Sequence, residues 1–390
     1  ISGPQALNDV VVLMYDALSA NQIQSYMRAV DRFVPTPYYR TINNTVETGA
    51  NLLDKAMVTA LRGIIGNIDA KAAEGRDAIV PVLAYVESGD GFYRDGSFVQ
   101  HTQVAYTGGY GLSLVSRMAD LLYMLQGSPW QVTDPRLNRA FDWVSDSFEP
   151  VIYKGAMMDM VRGREISRSA AEDHVVGRSA ILSVLRMAEG APPETALRIK
   201  RMAKEWIGSD TTYREYTEGL SLYDIRLVKA LMADSSIVPR GELVKNQVFA
   251  GMDRIVHLRP GFGVGIGMFS DRISAFEYGN GENAKGWYTG IGAVTLYTND
   301  LTQYGGGYWP TVDSFRLPGT TTDGSRGALK DWQFYRNPRS WVGGSSLNGT
   351  NGAAGMDFSL AETTGSSLQG KKSWFLFDDE IVALGAGITG

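Results

Sequence analysis

The chain has 390 residues, 44% hydrophobic and 11% aromatic, with 37 basic against 42 acidic side chains and a formal net charge of −5. That length gives two domains, or three, with ample core, and the weak charge carries no global signature of nucleic-acid or membrane binding. There is no cysteine, which excludes disulfides and thiolate metal sites.

The opening "ISGPQALNDVVVLMYDAL" lacks a basic leader and a continuous apolar core, and the chain starts without Met, as a processed or excised piece would. No apolar run approaches the roughly 18–20 residues of a membrane span, so no membrane insertion is expected. Helical periodicity then dominates. In "NLLDKAMVTALRGIIGNIDAKAAEG" the residues Leu52, Leu53, Met57, Ala60, Leu61, Ile64, Ile65 and Ile68 recur at helical spacing, with Gly75 as a C-cap. "GLSLVSRMADLLYMLQG" repeats the pattern. "DPRLNRAFDWVSDSFEPVIY" begins with an N-cap Asp before an N1 Pro. Three more amphipathic segments follow, and no strand-like segment is expected between them. Short connections make these antiparallel helical hairpins.

Near residue 238 the character changes. "RIVHL", "FGVGIGMFS", "RISAFEY" and "AVTLYT" read as strands. "KKSWFLFDDEIVALGAGI" reads as two strands around the charged turn Asp378 to Glu380. The expected organisation is α+β and multidomain: helical hairpins over residues 1–238, then an antiparallel β domain over 239–390. The chain stops after an apolar strand, so more β domain is expected beyond it.

Four stretches concentrate functional chemistry. "DGSFVQHTQVAYTGGYG" holds Gln100, His101 and Tyr110 among glycines that free the backbone and allow close ligand approach. It is equally readable as a helix-start loop with a buried His and a packed Tyr. Asn51 opens a helix; it is either a cap or an amide donor to a carboxylate. "MVRGREISRS" places Arg164 and Arg168 four apart, on one face of a helix, as an anion clamp or as a solvated face paired with acids. "FEYGNGENAKGWYTGIG" crowds Glu277, Glu282, Asn283 and Trp287 into a polar loop on a sheet, or into a turn with aromatic anchors. His174 and His257 read as structural. No metal spacing, Walker A sequence or nucleotide glycine fingerprint is present, so neither metal nor cofactor is expected.

In this order and spacing, "DGSFVQHTQVAYTGGYG", the Asn fifty residues before its His, "RGREISR" and "NGENAKGWYTG" resemble polysaccharide lyase family 8: hyaluronate, chondroitin AC and xanthan lyases. "YWPTVDSFRLPGTTT" is similar to a segment of the family's β domain. The resemblance implies an incomplete α/α toroid followed by an antiparallel β-supersandwich, here truncated at both ends. The family's upstream tryptophan-rich segment and later sheets are absent. It implies β-elimination of a uronate polysaccharide to 4,5-unsaturated products, with Asn51, His101, Tyr110, Arg164 and Glu282 in the catalytic set. Tyr110 would serve as base and acid with His101 assisting, or His101 would be the base and Tyr110 the acid. Glu282 would orient Asn51 or an arginine, with Glu277 as the fallback. Gln100, Arg168, Asn283 and Trp287 would touch sugar.

The implied partner is an anionic polysaccharide such as hyaluronan or chondroitin sulfate, met by a secreted, extracellular monomer. "QHTQVAYTGGYG" is nearest the hyaluronan/chondroitin branch, with xanthan as the alternative substrate. Two rival readings remain at this level. One is an α/α-toroid glycoside hydrolase, which needs two carboxyl groups flanking the bond. The other is a non-catalytic carbohydrate-binding protein.

Overall fold

The computed structural model describes residues 1–390. Its first half is helical: α1 (Ser2–Leu13), α2 (Ala20–Phe33), α3 (Gly49–Ile65), α4 (Asp69–Asp77), α5 (Leu112–Leu125), α6 (Asn138–Trp143), α7 (Asp173–Ala188), α8 (Pro193–Ser209) and α9 (Leu222–Ala233). The odd-numbered helices touch in sequence, α1 to α3 to α5 to α7 to α9. The helices α2, α4 and α8 lie alongside their neighbours in the chain. This is the arc of an incomplete α/α toroid.

α3 is packed on several sides, by α1, α2, α4 and α5, because it is apolar nearly all round. Leu52, Leu53, Ala56, Met57 and Ala60 join the main helical core, while Val58 and Ile65 face a second cluster with Val11, Met27 and Val30 of α1 and α2. The run expected as one helix through Gly75 breaks at Gly66 and Asn67, where Asn67 takes φ +52°. Gly75 lies inside α4 rather than capping it, because a Cβ there would come 2.5 Å from the Ala60 nitrogen. The N-cap at Asp134 is present: its carboxylate accepts from the Arg136 N–H at 2.8 Å.

The helical half also contains strands, contrary to the expectation of none. β1 (Gly91–Phe92), β2 (Phe98–Gln100) and β3 (Val104–Ala105) form a small antiparallel sheet, and β4 (Ile152–Tyr153) pairs with β5 (Ala156–Met157). They are two or three residues long, too short to show a period-two pattern in sequence.

In the second half, β6 (Lys245–Phe249), β7 (Arg254–Arg259), β8 (Phe262–Gly267) and β9 (Ala293–Tyr297) form one antiparallel sheet. After the short helix α10 (Tyr308–Thr311), β10 (Val342–Leu347), β11 (Asn351–Ser359), β12 (Gln369–Leu376) and β13 (Ile381–Thr389) form another. The strand alternation of β7 decides how the layers stack. Val256 and Leu258 join the helical core, while Ile255, paired with Ile266 of β8, faces Met356, Phe358 and Trp374 of the second sheet. The first sheet therefore lies between the helices and the second sheet.

"RISAFEY" is not a strand. Its backbone bonds to loops of both halves: Ser274 N–H to the Gln103 carbonyl and Ala275 N–H to the Tyr335 carbonyl, each at 2.9 Å. This loop crosses the junction between the helical and β layers, and it carries Glu277 there.

Candidate active site

A cavity of about 570 Å³ opens where the two halves meet. Asn51, Gln100, His101 and Tyr110 line it from the helical side, Glu277 and Trp332 from the β side.

His101 occupies the tight turn between β2 and β3, with φ +53°, and Thr102 follows at +64°. Left-handed backbone is costly for such residues and persists where surrounding structure holds it. The three glycines expected to supply backbone freedom do something else. Gly108, Gly109 and Gly111 have no positive φ; they give close approach. A Cβ at Gly108 would lie 2.7 Å from Met157 Cγ, and one at Gly109 would lie 2.6 Å from the Tyr106 ring. Tyr110 sits in a π-helical turn, Thr107–Gly111, that leads into α5. Such wide turns re-aim side chains and are frequent at functional sites.

The His101 and Tyr110 rings meet edge to face, with centroids 4.8 Å apart. His101 Nδ1 is hydrogen-bonded to Glu277 Oε1. Burial would push the Glu277 carboxyl up, but the hydrogen bonds from His101 and Arg164 outweigh it and hold it below the usual carboxylate range. An ionised Glu277 accepts only, so Nδ1 carries a proton and Nε2 is the ring nitrogen left to meet a ligand.

Arg164 is 4% exposed and spans the boundary. Its Nη1 donates to Glu277 Oε2 at 2.8 Å, its Nε to Glu282 Oε2 at 2.7 Å, and its Nη2 lies 3.5 Å from the Tyr110 hydroxyl. Arg164 and Arg168 do share a partner, but Arg164 lies on a 3₁₀ turn (Gly163–Ser167) and Arg168 is the extended residue after it, so no α-helix aligns them. Arg168 Nε donates to Glu282 Oε1 at 2.6 Å. Arg168 first, then Arg164, lowers the Glu282 carboxyl below its ordinary value. Glu282 thus neutralises the arginine pair and makes no hydrogen bond to Asn51; the carboxylate reaching His101 is Glu277.

Asn51 is the third residue of α3, and its side chain makes no hydrogen bond to the helix. Thr48 holds the N-cap position, but its hydroxyl donates to Asp90. The Asn51 amide is therefore free to face the cavity. Gln100 lies in the wall, its Nε2 donating to Asp90 at 2.9 Å and its buried Oε1 unpaired.

Two expected sugar contacts are corrected. Trp287 is 1% exposed and packs against the stacked Phe276 and Tyr335 rings, with centroids at 4.8 and 5.0 Å. Asn283 is buried and spends its amide on the Glu277 carbonyl at 2.9 Å. Both shape the loop from within. His174 is buried against Asp210, with Nδ1 and Oδ2 2.9 Å apart, and His257 is buried in β7.

Residues 1–205 match the polysaccharide lyase family 8 N-terminal alpha-helical domain, and residues 244–390 match the family's super-sandwich domain. The chain belongs to polysaccharide lyase family 8. It is 45% identical over 388 residues to a xanthan lyase of Bacillus sp. (strain GL1), covering 99% of this chain and 40% of that relative. It is 42% identical over 395 residues to a hyaluronate lyase of Thermasporomyces composti, covering 100% of this chain and 49% of the relative. Among solved structures, Paenibacillus xanthan lyase superposes with a TM-score of 0.92 at 47% identity, over 100% of this chain and 36% of that one. Streptomyces coelicolor A3 chondroitin AC lyase, in complex with chondroitin sulphate, gives 0.92 at 39% identity, over 99% and 53%. The chain spans about half the length, or less, of these family 8 relatives.

Sequence reasoning passed over two cavity residues of this family 8 chain. Glu277 stood only as a substitute for Glu282, because spacing does not reveal which acid crosses the junction. Trp332 was missed altogether. It is 45% exposed, has φ +64°, and meets His101 edge to face at 5.5 Å. The signal available was an aromatic flanked by polar residues in "LKDWQFY".

Proposed function

We propose that this chain carries the catalytic cleft of a lyase that cleaves uronate-containing polysaccharides by β-elimination. One observation carries the reading. Tyr110, whose hydroxyl has the buried Arg164 guanidinium 3.5 Å away, and a His101 imidazole oriented by Glu277 line a cavity that Asn51 also lines.

Elimination requires loss of the proton on C5, next to a carboxylate that is already negative. Asn51 hydrogen-bonds that carboxylate, and the N-terminal end of α3 beside it favours the charge that develops there. Arg164, 3.5 Å from the Tyr110 oxygen, stabilises a phenolate. The phenolate takes the C5 proton, the C5 electron pair forms the C4–C5 double bond, and the C4–O bond breaks. Tyr110 then returns the proton to the departing oxygen. In glucuronate both leave from one side of the ring, so one tyrosine serves both steps. Acid–base assistance of this kind contributes roughly 10²–10⁴-fold. A second division of labour is favoured by the Glu277 contact: with its proton fixed on Nδ1, His101 can act as base through Nε2 while Tyr110 is the acid.

Hyaluronan and chondroitin sulfate are the first proposed substrates. Xanthan is the second, supported by the 45% and 47% identities to xanthan lyases. Polymers of this size do not cross a membrane, so we place the reaction outside the cell. Incubation with each polymer tests the reading. Conjugated unsaturated uronate, read by ultraviolet absorbance, is the expected product. Reducing ends without that absorbance would indicate hydrolysis and sink it.

A further inference from the structure

Behind the cavity lies a tyrosine that touches no open space. Tyr106 is 0% exposed, and its ring stands edge-on to Tyr110 at 4.9 Å and to His101 at 6.1 Å. Two glycines clamp it. A Cβ at Gly109 would come within 2.6 Å of the ring, and one at Gly163, which has φ +55°, would run into it. The phenol oxygen uses its full hydrogen-bonding capacity. It donates to Glu277 Oε2 at 2.8 Å, and it accepts from the Arg164 backbone N–H at 3.2 Å and from Arg164 Nη1 at 3.0 Å. Arg164 Nη1 also reaches Glu277 Oε2, which closes a ring of three polar groups.

We propose that Tyr106 is a positioning residue that locks Glu277 and Arg164 to each other, and through them sets His101 and Tyr110 for the reaction. The argument rests on the lyase reading given above. Each of the two groups bonded to Tyr106 has a second contact at the reacting side chains: Glu277 with His101 Nδ1, Arg164 with the Tyr110 hydroxyl. With Tyr106 in place, Glu277 turns Oε1 to the imidazole because Oε2 is already held by two donors. Burial and then the Glu277 charge push the Tyr106 phenol well above its usual range, so it remains a donor and does not compete with Tyr110 as a base. Removing the hydroxyl leaves a buried guanidinium and a buried carboxylate each short of one partner. Such a site re-settles by tenths of an ångström, and misplacement of up to ~1 Å costs on the order of 10²-fold in rate.

The test is Tyr106→Phe, read in two ways. With the polymer that the parent cleaves, kcat falls by about 10- to 100-fold while KM stays within about twofold. An unchanged kcat overturns the proposal. The second readout needs no activity. Three histidines make the imidazole NMR spectrum tractable, and His174, held by Asp210, is a second His–carboxylate pair that shares no hydrogen bond with Tyr106, Glu277 or Arg164. The low-field Nδ1–H resonance of His101 broadens or exchanges faster in Tyr106→Phe, while that of His174 is unchanged. Loss of both resonances marks general loosening and overturns a positioning role. An unaltered His101 resonance overturns it as well. A parent that yields no unsaturated product, but whose His101 resonance responds, removes the lyase reading and leaves the lock standing. Should the variant not fold, the parent still decides: a slowly exchanging Tyr106 hydroxyl proton is expected, and rapid exchange overturns the proposal.

Discussion

His101 and Glu277 are 176 residues apart in the chain, one on the helical half and the other on the β half, and they are joined by a hydrogen bond through Nδ1. The imidazole is therefore oriented only when the two halves are assembled. Glu277→Gln leaves one acceptor: its NH₂ either faces the Arg164 and Tyr106 donors or turns to His101 Nδ1 and reverses the imidazole tautomer. The expected result is a loss of at least ~10²-fold in kcat with substrate affinity largely retained, measured by steady-state kinetics beside binding to immobilised polymer.

Tyr110→Phe keeps the ring against His101 and removes the hydroxyl near Arg164. Product formation should fall by about 10²–10⁴-fold or more while polymer binding persists. Near-normal turnover would exclude Tyr110 as base or acid.

Asn51 makes no hydrogen bond within its helix, so Asn51→Ala should change folding stability by less than about 1 kcal/mol. Turnover should nevertheless collapse. Thermal melting and product absorbance separate the two effects, and retained turnover would remove the carboxylate role.

Trp287 and Trp332 should behave oppositely. Trp287→Ala opens a hole in the β core and should cost about 3–5 kcal/mol. Trp332→Ala removes an exposed ring from the cavity wall, raising KM with little effect on melting. Equal destabilisation by both would contradict their burials of 1% and 45% exposed.

Asp173 is a buried carboxyl, pushed up to about 6 by its burial and then by the nearby Asp159 charge. Because its folded value lies above its unfolded one, its contribution to stability is complete below pH ~4 and is lost as pH rises through about 6. Asp173→Asn keeps an oxygen for the His174 N–H, 2.9 Å away, and cannot ionise. It should raise stability by about 2 kcal/mol at neutral pH, with the gain vanishing near pH 4. Denaturant melts at the two pH values check this. Glu277 has the opposite sign: held below its ordinary value, it stabilises the protein above that value, and the contribution is lost on acidification.

Long, strongly periodic segments were legible from residues alone. The helical run from Leu52 to Ile65 and the alternation in β8 and β12 follow from side-chain periods of 3.6 and 2, which are local properties. From residues alone Asn51, His101, Tyr110 and Arg164 each keep a structural alternative, and the resemblance to family 8 is what singles them out.

What the sequence could not contain was direction. Trp287 and Trp332 are the same residue in similar polar loops, and only packing against Phe276 and Tyr335 buries one of them. Glu277 and Glu282 are five residues apart, and the turn between them sends one to His101 and the other to Arg168. The glycines flanking Tyr110 act by proximity to Tyr106 and Met157, a relation that exists only after the chain has closed. The sequence by itself determined the long helical and sheet segments and, through its resemblance to the family, the candidate side chains. The tertiary structure alone decided which partners hold them, because ion pairs and ring contacts between distant segments arise from the packing of the helical arc on the sheet.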